Sequence, residues 1–558
     1  MPADTPRAPA PFRAAVTGLC LALMPGLAPA QTFGISQMTV TDRFGLANGA
    51  AQPGSGLATP STGPIGAIDW LDALNRAGIS APAASGDAGD VADSALAPEV
   101  RTLTLSASDA GAVGLLPASV TGLPTTLWQG SDSATLIQRI SALDVSGLPA
   151  MQALLYTLLL AEADPPESAD TEEDDPLLLA RIDKLTDLGA LDPALALIER
   201  AGQTRTPALF SDWLDLSLLA GLETQPCRRI ASDPEIAPSQ SARIFCLARN
   251  RDWQTAALLL ETASAIGTLE PVDEQLLTRF LHVDLDDTAA PLPPPSEITP
   301  LRFRLSEAIG EPLPTTDLPR AYAYYDLRGR AGWKASLEAA ERLSRSGALP
   351  ENRLLGLYSG GQPSASGGIW DRVAAVQAFD AAIGAPRPVT RQVIDTLPPA
   401  WEAMRDAGLE TAFAALYGAR LLPYASGTGP AAHIALQAVL LSPEATELAE
   451  TLTARTPTDI FLVALARGEP GSVEAPSNRA RIVAQGFSSE EQLPERLQDL
   501  IHQGRLGEAI LGAMQLYTYA MSGDLKDSAP ALATFRAIGL EDTARAAALQ
   551  IFLLDDRG

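Results

Sequence analysis

The chain has 558 residues, 46% apolar and only 5% aromatic, with a formal net charge of −27. That length allows three or four domains of about 100–200 residues, or one long repetitive array. The charge excludes nucleic acid, whose binding needs a basic footprint, and disfavours anionic membrane surfaces.

Alanine and leucine dominate the apolar content, and both rank high in helix propensity. Lysine occurs only at Lys184, Lys334 and Lys526, so nearly all positive charge is arginine, the mark of a GC-rich genome. The acidic excess reads as solubility through self-repulsion, with a basic partner or divalent cations as the functional alternative.

Residues 1–30, "MPADTPRAPAPFRAAVTGLCLALMPGLAPA", have the layout of a secretory signal peptide. Arg7 and Arg13 form the basic start, Ala14 to Leu27 the apolar stretch, and Ala28-Pro29-Ala30 the small-residue cleavage site. Cleavage is expected between Ala30 and Gln31. Cys20 follows Leu19, which is too large for a lipoprotein signal. The apolar stretch is too short to cross a bilayer, and no later run of about 18 apolar residues exists, so no transmembrane segment is expected. Cleavage removes Asp4, Arg7 and Arg13, leaving a charge of −28. The expected location is the periplasm of a Gram-negative cell.

Residues 31–97 read as a flexible, low-complexity segment carrying one short helix, "AIDWLDALNRAG". Residues 98–150 read as a small irregular region with one or two strands, because Leu103 and Leu105 alternate within "RTLTLSA". From residue 151 the pattern is helical. "MQALLYTLLLAEA" is apolar on most sides and predicts a buried helix. "EADPPESADTEEDDP" reads as a solvated acidic loop, since it lacks the ligand spacing and turn glycine of a calcium site.

Beyond Leu177 one device recurs: a helix ends at a short turn and an alanine-rich helix begins at once. The instances are "LGALDPALALIERAG", "ARNRDWQTAALLLETA", "GRAGWKASLEAAERL", "RDAGLETAFAALYGA", "HQGRLGEAILGAMQL" and "AIGLEDTARAAALQI". Glycine can close the first helix with a positive φ, and small residues let two helices approach closely. These turns resemble the tetratricopeptide type. Those at Gly189, Asn250, Arg330, Ala407, Gly504 and Gly539 lie 61, 80, 77, 97 and 35 residues apart. Only the last interval approaches the roughly 34-residue tetratricopeptide period. The expected fold is therefore mainly α, an irregular α-solenoid of helical hairpins with a small β-containing N-terminal region. Proline-rich "DDTAAPLPPPSEITP" suggests a joint between a first lobe, 151–290, and a second, 291–558.

Most enzyme chemistry has no residues to carry it. His282, His433 and His502 are isolated, without zinc-ligand spacing, and no nucleophile elbow, P-loop or dinucleotide fingerprint is present. "VDLDD" (283–287) lacks the glycine and glutamate of a calcium loop. "GAMQLYTYA" (512–520) resembles the G-x-M-Q-L stretch of soluble lytic transglycosylases, which also carry helical superhelices. The Glu-Ser pair that the resemblance requires upstream is missing, and Glu508 lies in the hairpin turn. Met514, Leu516 and Tyr517 read instead as packing residues. Paired carboxylates could serve glycoside hydrolysis, but the sequence selects no pair. No catalytic, cofactor-binding or metal residue is nominated, and no cofactor is expected.

Cys227 and Cys246 flank "RRIASDPEIAPSQSARIF". Their spacing is not that of a redox motif and no histidine lies between them. In an oxidising compartment they are expected to form a disulfide between neighbouring helices, with buried thiols as the alternative. "TGLPTTLWQGSD", "LLLARIDKLTDLGALDPALALIERAG" and "ARIFCLARNRDWQTAALLLETA" together resemble stretches of large exported alphaproteobacterial proteins that have no established activity. The expected function is an exported scaffold or adaptor that binds another cell-envelope protein or peptide without catalysis. The alternative is a cell-wall or polysaccharide-active enzyme using carboxylates on a helical scaffold.

Overall fold

A computed structural model describes residues 112–166, 175–282, 290–489 and 493–554, all within one compact unit that spans Ser61–Gly558. Ala30 and Gln31, the segment 31–97, "RTLTLSA" and "VDLDD" lie outside the described residues. Among the described residues the protein is mainly α, with 25 helices and no strand, in keeping with an α-solenoid-like fold.

The described chain begins with α1 (Ala118–Thr121), α2 (Ser133–Ala142) and α3 (Pro149–Leu160). Next come α4 (Pro176–Asp187), α5 (Leu191–Ala201), α6 (Pro207–Ala220) and α7 (Thr224–Ser232). They lead to α8 (Gln240–Arg249), α9 (Trp253–Ile266), α10 (Pro271–Leu281) and α11 (Pro300–Ala308). The middle of the chain forms α12 (Ala323–Asp326), α13 (Trp333–Ser344), α14 (Glu351–Tyr358) and α15 (Ile369–Gly384). Three further helices follow, α16 (Thr390–Asp406), α17 (Glu410–Ala425) and α18 (Pro430–Leu441). Shorter elements then follow, α19 (Ala445–Ala449), α20 (Pro457–Ala466), α21 (Asn478–Gln485) and α22 (Glu495–His502). The last three are α23 (Leu506–Ser522), α24 (Ser528–Ala537) and α25 (Glu541–Leu553).

Two local devices start and stop these helices. A capping residue followed by proline opens α4, α6, α11 and α20, at Asp175-Pro176, Thr206-Pro207, Thr299-Pro300 and Thr456-Pro457. In each, the side-chain oxygen accepts an amide N–H of the first turn at 3.0–3.2 Å. Proline there needs no amide hydrogen and already has helical φ. All six expected hairpin turns fall between consecutive helices. Gly189 joins α4 to α5 with φ +82°, the left-handed conformation that glycine adopts without a Cβ clash. Between α8 and α9 the left-handed residue is Arg251 (φ +69°), while Asn250 donates its side-chain N–H to the Cys227 carbonyl at 2.7 Å.

The core is built around α3. Ten of its residues, from Ala150 to Leu160, are buried, so helices must cover it on every side. At its far end the Arg181 guanidinium of α4, wholly buried, donates to the carbonyls of Leu159 (2.8 Å), Val113 (2.9 Å) and Ala161 (3.1 Å). A cation at a helix C-terminus also complements the helix dipole. Here the strands expected before residue 150 are reduced, among the described residues, to an isolated parallel bridge between Leu116 and Ala161. Pro117 and Pro124 cannot donate to a ladder, and α1 and α2 occupy the rest of that stretch.

The array does not remain open. An open solenoid touches only its neighbours in sequence, yet α25 packs on α3 and α23 packs on α2. The Gln550 side chain accepts the Ala150 N–H at 2.9 Å, satisfying a free donor in the first turn of α3. Gly507 donates its N–H to the Leu127 carbonyl at 2.9 Å, and a Cβ there would stand 2.5 Å from the buried Trp128 ring. Helices on both sides of residue 290 also pack together, α6 and α10 on α11.

Replacing Arg181 by methionine strips three buried carbonyls of their donor. This should lower stability by about 3 kcal/mol or more, read as a lower urea midpoint at unchanged slope. A loss below about 1 kcal/mol would mean that water serves those carbonyls equally well.

Candidate functional site

Cys227 and Cys246 are bonded, with Cα atoms 4.7 Å apart and both side chains fully buried. The bond ties α7 to α8 across a sequence separation of 19 residues. It is therefore a staple inside the core, remote from any exposed thiol chemistry.

The other residues weighed in the sequence have structural settings. Glu508 is buried and forms ion pairs with Arg139 of α2 (3.2 Å) and with Arg505, so it clamps α23 to the start of the fold. Met514 and Tyr517 are core residues, and the Tyr517 hydroxyl donates to the Ala547 carbonyl at 2.8 Å. Leu516 is half-buried against the same core. His282, His433 and His502 lie on different elements, and the His433 imidazole stands 3.6 Å from Asp459. Among the described residues no three His, Cys, Asp or Glu side chains are grouped to hold a metal.

A cavity of about 660 Å³ is the chemically distinctive feature. Ile182, Leu216 and Leu219 give it an apolar floor, and Gln152 of α3 reaches it while donating to the Val145 and Arg345 carbonyls at 3.1 and 3.0 Å. Asp183 and Asp187 of α4 and Asp212 and Asp215 of α6 supply carboxylates. Arg320, from a short 3-10 turn, with Arg342 of α13 and Arg345 just beyond it, supplies guanidinium groups.

Among the described residues, Asp183, Asp212 and Asp215 accept no hydrogen bond and join no ion pair, and the three arginines join no ion pair, although the Asp144 and Asp317 charges act on Arg320 and Arg342. The arginines donate only to backbone carbonyls: Arg320 to Asp187 (3.3 Å), Arg345 to Ala407 (3.2 Å), and Arg342 to Thr315 (2.9 Å) and Leu318. Two buried glutamates elsewhere are paired with arginine. Glu223 meets Arg249 and Arg304 at 2.8 and 3.0 Å, and Glu341 takes Arg372 and the Tyr358 hydroxyl, both at 2.7 Å.

Proton affinities follow from this placement. Burial pushes Asp212 up to about 7, helped by the nearby Asp183 and Asp215, and pushes Asp215 up to about 6. Burial also raises Asp183, with Asp187 adding to it. Burial lowers Arg342, its neighbours Arg320 and Arg345 lower it further, and Asp317 opposes them. No arginine charge offsets the rise at Asp212 or Asp215. The Tyr322 phenol, raised to about 12 by burial and then by Asp215, stays neutral and donates to the Ile298 carbonyl at 2.6 Å.

The sequence analysis nominated none of these residues. A signal did exist: in "FSDWLDLSLL" two aspartates three positions apart interrupt an otherwise apolar helix. What it lacked was the facing arginines, which come from segments over 100 residues away.

Two outcomes check this description. Thiol titration of the oxidised protein should detect neither Cys227 nor Cys246, and replacing both with alanine should cost roughly 3 kcal/mol. The carboxyls of Asp212 and Asp215 bind protons more tightly folded than unfolded, so their contribution is complete below about pH 4 and is lost as pH rises through 6 to 7. Asp183 from α4 and Tyr322 are the titratable groups beside them. The Asp212→Asn, Asp215→Asn variant should therefore exceed the parent in stability at pH 7.5 by about 1–2 kcal/mol. That advantage should vanish near pH 4.5, as followed by urea unfolding at both values.

No family model matches the chain, and no curated protein or solved structure is detectably similar to it.

Proposed function

We propose that the protein is an exported, non-catalytic helical scaffold that binds another protein or peptide of the cell envelope. The observation that carries this reading is the cavity, whose lining brings carboxylates of α4 and α6 together with guanidinium groups from the 3-10 turn at Arg320 and the end of α13. These groups are half-buried or exposed, so a bound partner of complementary charge can reach them. The helical framework supports the same reading, because stacked helices position such groups from several elements at once. Export rests on the signal-like residues 1–30, and the disulfide supports it because such bonds persist in oxidising compartments.

A second reading, a cell-wall or polysaccharide-active enzyme, draws on Asp212 and Asp215. A glycosidase needs one carboxyl kept protonated and a second held ionised. Here burial shifts both in the same direction, and no described donor or cation holds either one ionised. That favours binding over hydrolysis.

The purified protein should release no soluble fragments from peptidoglycan or polysaccharide. Affinity purification from the native envelope should recover one stoichiometric partner, and the exported form should begin at Gln31 on N-terminal sequencing. Fragment release that disappears in the Asp212→Asn variant would replace the scaffold reading with the enzymatic one.

A further inference from the structure

We infer that the exposed face of α9 is where a second copy of this chain docks, the two α9 helices lying antiparallel across a two-fold axis. The inference stands apart from the cavity and from the reading of the chain as a scaffold.

α9 is covered on one side. Ala256, Leu260 and Ala263 are buried there, and the helix packs on α8 and α10. Thr255, Leu258, Thr262, Ala265 and Ile266 follow one another at helical spacing along the opposite side, and all are exposed. Leu258 and Ile266, at 64% and 69%, are the most exposed large apolar side chains among the described residues. The Thr262 hydroxyl donates to the Leu258 carbonyl at 2.8 Å, so the helix itself satisfies it. Glu261 is the one charged residue between Trp253 and Ile266. An apolar stripe of this kind, on a chain of net charge −27, marks a protein contact.

The charges at the two ends of α9 name the occupant. Arg249 and Arg251 precede the helix, and Arg251 is exposed and joins no ion pair among the described residues. Glu270 follows it, with a side chain 72% exposed even as it meets Arg302. A basic start and an acidic finish complement each other when the same helix is turned end for end, and opposed helix dipoles favour the same arrangement. A two-fold axis crossing the helix produces it, because such an axis brings one patch onto itself.

With the axis midway between Leu258 and Thr262, Leu258 lies against Thr262 of the second copy and Ile266 lies against its Thr255. Each large side chain meets a small one, which lets the helices approach closely. Arg251 then stands beside Glu270 of the second copy. A parallel pairing would instead set Arg251 on Arg251 and Leu258 on Leu258. The 14 residues of α9 span about 21 Å. That is short for a permanent interface, which takes about 800 Å² from each partner, so the dimer is a reversible one.

The test is sedimentation equilibrium of the purified protein between about 1 and 500 µM, a range suited to a small interface. The parent should pass from monomer to dimer over that range. The Leu258→Asp, Ile266→Asp variant should remain monomeric. Arg251→Glu should weaken dimerisation about tenfold, because the two-fold axis applies the change twice. All three residues are exposed, so these variants are expected to keep the parent's circular dichroism and melting temperature. Orientation is read by cross-linking, since Cys227 and Cys246 are already bonded and buried. Oxidation of the Thr255→Cys, Ile266→Cys variant should give a disulfide-linked dimer. Ile266→Cys alone should not, because an antiparallel pair holds those two positions about 16 Å apart along the helix axis. A protein that stays monomeric across the range would overturn the proposal. So would a dimer that survives Leu258→Asp, Ile266→Asp, or one that Ile266→Cys alone cross-links. If the monomer lost its envelope partner only in the Leu258→Asp, Ile266→Asp variant, the face would belong to that partner, and the scaffold reading would stand.

Discussion

The structure depends on a helix with almost no exposed face. α3 is apolar on most sides and buried along nearly its whole length, so it is stable only while other elements surround it. α4 lies on it from one direction and α25 from another, and the turn after α13 docks on it through the Tyr156 hydroxyl and the Ser346 carbonyl at 3.1 Å. Its two ends pose the remaining problem, because buried amide and carbonyl groups must have partners. Gln550 serves the first turn and Arg181 the last. Burial lowers Arg181 to about 10, and Asp175 opposes that, so the side chain stays charged at neutral pH and remains an effective donor.

Much of this was legible in the sequence where the cause is local. The apolar run in "MQALLYTLLLAEA" identified α3 as a buried helix, and the six turns from Gly189 to Gly539 identified hairpins, because helix termination is written in a few consecutive residues. The cysteine pair was readable for the same reason, since one short loop separates its two helices. Closure was not readable. Nothing near Gln550 or Gly507 names Ala150 or Leu127, and an Ala-rich helix surface can dock against many partners. The cavity escaped for a related reason: it draws on α3, α4, α6, a 3-10 turn and α13, each locally unremarkable. The strand expectation rested on "RTLTLSA", which lies outside the described residues; in the stretch after it, prolines and short helices leave the Leu116–Ala161 bridge.

The protein treats charge in two ways, and the contrast identifies the site. Glu223, Glu341 and Glu508 sit deep among helices, and each is met by arginine, so their geometry fastens one element to another. Asp212, Asp215, Arg320, Arg342 and Arg345 line open space, and no ion pair joins them. Such an arrangement suits recognition: charged groups held ready, with the arginines' orientation set in advance by hydrogen bonds to the backbone.

The meeting of α25 with α3 also constrains how such a protein can change over evolutionary time. Open helical arrays gain or lose a hairpin easily, since each unit rests only on its neighbours. Here an inserted hairpin would carry α25 away from the helix it covers, and a deleted one would draw it past. The number of hairpins between α3 and α25 is therefore fixed by geometry, and variation is confined to loop length and surface residues.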